Sequence, residues 1–109
     1  MTDKFDDYIN AVLEESKALA KAIFNGLESQ AMDDAGAFTK KADNDLRRWT
    51  KQLSEKQITV QDVGDLVLAK KSLAEIHALA QSGVSITKLE RFRSGLINLA
   101  IDKASVIFL

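Results

Sequence analysis

The stretch ITKLERFRSGLINLAIDKASVIF, residues 86–108, decides how the rest of the chain is read. At 100° per residue, Leu89, Phe92, Leu96, Leu99, Ala100 and Ile107 fall on one stripe, the pattern of a helix with a buried side. A second apolar row, Ile86, Ile97, Ala104 and Phe108 with Ile101 beside it, widens the apolar arc to more than half the circumference. A peripheral helix of a small bundle needs an arc only somewhat above 100°. The surplus row needs a cover, supplied either by another chain or by the long first helix folding over it. The closing residues 105–109, SVIFL, are apolar where frayed ends are usually polar, which favours another chain. The expectation is therefore a homo-oligomer, simplest as a two-fold dimer, or a helical protein partner, held through Ile86, Ile97, Ile101, Ala104 and Phe108. Full burial of Ile97, Ile101 and Phe108 would contribute roughly 1.5–3 kcal/mol each before association costs.

Working outward, the entry to this helix has two candidate starts. Thr87 with Glu90 fits a capping box, and Ser85 with Val84 and Leu89 fits a cap plus staple. Upstream, the spacing predicts a helix over 60–81. Thr59 can cap the amide of Asp62, Ile58 can staple to Val63, and Ser82-Gly83 ends the helix. Its inward face is Val63, Leu66, Val67, Leu73, Ala74 and Ala80. A helix over 34–54 follows from Ala35, Phe38, Ala42, Leu46, Trp49 and Leu53, with Asp33 and Asp34 as caps. The first helix spans about 3–28 through Phe5, Tyr8, Ile9, Val12, Leu13, Leu19, Ala20, Ile23, Phe24 and Leu27, with Asn25-Gly26 as an earlier stopping point. Continuity of the first and second helices is a further alternative. Short connections then predict an all-α, antiparallel up-and-down four-helix bundle, one domain over 1–109. Gly26, Gly64 and Gly95 are candidates for helix interiors, either to permit close contact or as tolerated defects.

Composition agrees with that class. The 109 residues are 46% hydrophobic and 28% charged, the balance of a folded domain. Proline is absent, which tilts the chain toward helix, and the lack of cysteine excludes disulfides, thiolate metal sites and a cysteine nucleophile. A single histidine excludes His-rich zinc sites, and no glycine-rich phosphate loop is present. No metal, cofactor or catalytic residue is expected. The longest apolar run is too short for a membrane span. The start MTDKFDDY lacks a basic region followed by an apolar stretch, so no secretory leader and a cytoplasmic location are expected.

Two features compete with self-association. Net charge is −1, yet residues 1–34 carry eight acids against three bases and residues 35–58 six bases against three acids. Lys40, Lys41, Arg47, Arg48 and Lys51 project opposite the apolar stripe of the second helix, with Asp43 and Asp45 to the side. Such a strip can meet phosphates, which makes a nucleic-acid accessory protein the alternative. A chain that is not basic overall argues against it. Lys70 and His77, seven residues apart on an otherwise apolar face, are the candidate pocket of a ligand carrier or enzyme. No nucleophile, base and orienting group accompany them. The expectation from sequence is thus a non-enzymatic helical interaction module (an adaptor, assembly or regulatory component), self-associating through its fourth helix.

Overall fold

The computed structural model describes residues 4–70 and 77–108, without the side chain of His77. Among the described residues all regular structure is helical: α1 (Lys4–Ile23), α2 (Glu28–Lys41), α3 (Asp43–Ser54), α4 (Val60–Ala69), α5 (His77–Gln81) and α6 (Ile86–Phe108). The class is as the periodicity predicts. The count differs from four, and each difference has a local cause.

The first helix stops at Ile23, at the earlier of its two candidate ends. Gly26 turns the chain with φ +83°, a backbone that side chains rarely adopt. The first two helices are therefore separate, and α2 begins at Glu28, nearly two turns before the expected start at residue 34. Asp33 and Asp34 lie inside it and cap nothing there. The next helix bends at Ala42, whose φ of −91° and ψ of 2° fall outside the helical range. Hydrogen bonds still run through the bend, from Ala42 N to Phe38 O at 2.9 Å and from Leu46 N to Ala42 O at 2.8 Å.

At Thr59 the local chemistry behaves as read. The Thr59 hydroxyl accepts the Asp62 amide at 3.1 Å, and the Asp62 carboxylate accepts the Thr59 amide at 2.9 Å. The helix it starts ends at Ala69, with Lys70 in a turn, and the next described helix is His77–Gln81. Leu73 and Ala74, expected inward, lie outside the described residues. In the described part of α5 Leu79 is buried and Ala80 exposed, whereas the single period drawn from 60 to 81 sets Ala80 inward. Ser85 begins α6: its carbonyl accepts the Leu89 amide at 3.0 Å and its hydroxyl lies 3.4 Å from the Lys88 amide.

The central finding is where α6 sits. It packs against α1, α3 and α4, with its most extensive contact along α1, while α2 joins α1, α3 and α5. Phe92, Leu96, Ile97, Ala100 and Ala104 are all buried by these neighbours. An apolar arc wider than a peripheral helix needs is what a helix enclosed on three sides requires. Tyr8 fastens α1 to it. Its hydroxyl donates to Ala100 O at 2.7 Å, and its ring meets Phe108 edge-on at 5.6 Å and Phe5 at 5.9 Å. Burial without a nearby charge pushes the Tyr8 phenol above its ordinary pKa.

Candidate functional site

The surplus row of α6 divides in two. Ile97 and Ala104 are 1% and 0% exposed within a single chain, so they belong to its core and are not open to a partner. Ile101 and Phe108 are half-buried, Ile101 beside Gly64, where an added Cβ would stand 3.9 Å from it, and Phe108 against Tyr8. This corrects the expected surface: the first helix covers part of the row. Ile86 is different. It is 79% exposed and lines the mouth of a groove between α1 and α6.

Leu19 and Gly95 form the floor of that groove. A Cβ built on Gly95 would stand 2.5 Å from Leu19 Cδ2, so the Leu19 side chain lies over residue 95 in space that a side chain there would take. Gly64 shows no such constraint, since its nearest neighbour is at ordinary contact distance. Leu19, Ile23, Thr87, Glu90, Arg91, Ser94 and Asn98 surround the end near Ile86. Beyond Gly95 the groove continues between Glu15 and Ala18 on α1 and Leu99 and Asp102 on α6. Ala18 and Ala22 face outward beside it. Lys103 lies 3.6 Å from Glu15 at the far end. Periodicity did not single out Leu19 as a surface residue because it sits on the same stripe as core positions. Gly95, as an interior glycine that can permit close contact, is the one trace of the groove in the sequence.

The basic strip is broken up by its own helix. Arg48 pairs with Asp45 at 2.8 Å, and Lys70 reaches the same carboxylate at 3.7 Å. Arg47 lies 3.8 Å from Asp43, with its guanidinium 4.1 Å above the Phe5 ring. Asp43 and Asp45 thus answer the arginines they were expected to flank. Lys40 and Lys41 end α2 before the bend, whereas Arg47, Arg48 and Lys51 follow it; all five are exposed. Trp49 is buried among the apolar side chains.

Lys70 does not project into the core. It is exposed and engaged with Asp45 on α3, because α4 ends one residue before it. The side chain of His77 lies outside the described residues, so the proposed pairing with Lys70 does too. Among the described residues no cluster of three metal-ligating side chains occurs, and no helix is long and apolar enough to cross a membrane.

Buried polar groups have their partners inside the fold. Ser16 donates to Val12 O at 2.6 Å, Thr50 to Leu46 O at 2.7 Å and Thr39 to Gly36 O at 3.0 Å. Asp34, 4% exposed and in the middle of α2, accepts the amides of Ala78 at 2.9 Å and Leu79 at 3.0 Å. It serves as the N-terminal cap of α5 from a distant part of the chain, a role its own helix does not need. Comparison with protein-family models, curated proteins and solved structures gave no match, so the site is read from its own chemistry.

Proposed function

We propose that the protein is a non-enzymatic helical protein–protein interaction module that self-associates through α6, using the groove that α6 forms with α1. The observation that carries this reading is Ile86. Among the described residues it is the most exposed of the large hydrophobic side chains, and it stands at the mouth of a groove floored by Leu19 and Gly95. Apolar side chains open to water beside a concave strip are what association covers. The interior supports the same reading, because its hydroxyls and its buried carboxylate are committed to backbone groups. A symmetric dimer is the simplest closed assembly.

Sedimentation equilibrium over a dilution series tests this, with Ile86→Asp as the comparison. An acid in the first turn of α6 suits the helix N-terminus, so the variant keeps the fold. The expected result is a concentration-dependent mass approaching twice 12.0 kDa for the natural chain, and weakened association for the variant. A natural chain that stays at 12.0 kDa overturns the proposal.

A further inference from the structure

The two ends of the groove carry opposite charges. Arg91 and Glu90 line the end near Ile86, where Arg93 answers Glu90 at 2.9 Å and leaves the Arg91 charge unmatched, and Asp102 lines the other beside Glu15. Arg91 and Asp102 are exposed, and among the described residues neither side chain has a hydrogen bond or ion pair. Lys103, 3.6 Å from Glu15, answers one of the two carboxylates and leaves the equivalent of one negative charge unmatched. On α6, Arg91 and Asp102 are eleven residues apart, about three turns and roughly 16 Å along the axis, and within about 20° of the same face. Between them the exposed side is short-chained, at Ser94, Gly95 and Asn98. An apolar groove with a cation at one end and an excess carboxylate at the other is complementary to its own inverted copy.

We propose that a second copy of this chain docks antiparallel on the groove, about a two-fold axis near Gly95 and Asn98, with Arg91 of each copy entering the Glu15–Asp102 end of the other. An antiparallel pairing of α6 centred between Leu96 and Ile97 sets Arg91 level with Asp102 of the second copy. The same register brings Val106, 73% exposed and one turn beyond Asp102, level with the start of the second copy's α6. A parallel pairing would stack Arg91 on Arg91 and Asp102 on Asp102, and like charges across an interface are unfavourable. The inference rests on the self-association proposed above and specifies its geometry.

Charge reversal tests it, read by sedimentation equilibrium on Arg91→Glu, Asp102→Arg, their equimolar mixture and the double variant. Both positions are exposed, and circular dichroism checks that each variant keeps its helices. Each single variant is expected to dimerise at least about tenfold more weakly, because it sets like charges against each other. In the mixture each substituted side chain meets the opposite charge on the other variant, so the mixture is expected to recover the natural mass, as is the double variant. If the natural chain dimerises and the single variants match it, the antiparallel geometry is overturned while self-association stands. If the single variants weaken but the mixture does not recover, the pairing of Arg91 with Asp102 is overturned. If the natural chain remains at 12.0 kDa, self-association fails and this inference with it.

Discussion

Asp34 and Leu79, 45 residues apart in the chain, are joined by a 3.0 Å hydrogen bond from the Leu79 amide to the Asp34 carboxylate. The other carboxylate oxygen takes the adjoining amide of Ala78. A helix of five residues has little intrinsic stability, so α5 depends on this external cap and on the buried Leu79 side chain. Asp34→Ala strands two amides and is expected to cost about 2–4 kcal/mol, with Asp34→Asn costing less because one acceptor oxygen survives. Denaturant unfolding measures the loss. Faster hydrogen exchange at Ala78 and Leu79 locates it in α5, whereas unchanged exchange there would show that the cap does not hold the segment.

Tyr8 lends itself to a separable test. Tyr8→Phe keeps the ring against Phe5 and Phe108 but removes the bond to Ala100, an expected loss of roughly 0.5–1.5 kcal/mol. The phenol also predicts a pH dependence. Burial raises its pKa in the folded state above the ordinary 10.0, so the unfolded chain gives up the proton first as pH rises. Its contribution is complete below pH 10 and is lost as pH climbs toward the folded-state value. Urea unfolding in alkaline buffers should therefore show a steeper loss of stability for the natural protein than for Tyr8→Phe.

Gly95 tests the close approach of α1 and α6. Gly95→Ala adds a methyl that Leu19 must yield to, while improving helix propensity by about 1 kcal/mol, so its net effect is expected within about 1 kcal/mol of zero. Gly95→Leu cannot be accommodated by moving one side-chain end and should destabilise by about 1–3 kcal/mol. Equal stability for both variants would contradict the contact.

Nucleic-acid binding by the basic face is expected to be weak. Asp43 and Asp45 engage Arg47 and Arg48, and Trp49 is not available for base stacking. Fluorescence titration with duplex and single-stranded oligonucleotides at low salt should show no saturation below about 100 μM, weaker than a typical non-specific binder. Tight, salt-dependent binding would revive that reading.

Which parts of the fold were legible follows from the range of the interactions. Thr59 and Asp62 are three residues apart, and a capping box is complete within that span. Ser85 and Thr87 offered equally good local starts, and only the backbone chooses between them. Asp34 has the local signature of a cap for its own helix, but its partners lie 44 and 45 residues downstream, beyond the reach of any local pattern. The wide apolar arc of α6 was visible, but a helical wheel counts covered faces without saying which chain covers them. Here α1, α3 and α4 cover Ile97 and Ala104, leaving Ile86 and the groove beside Leu19 as the open part.

The most direct measurement is amide chemical shift against protein concentration, from micromolar to millimolar, on the uniformly labelled natural chain. If the α1–α6 groove is the surface through which copies meet, the concentration-dependent shifts gather at Ala18, Ala22, Ser94 and Asn98 and are absent from Arg47–Lys51. Shifts confined to α3, or none at any residue, would contradict it.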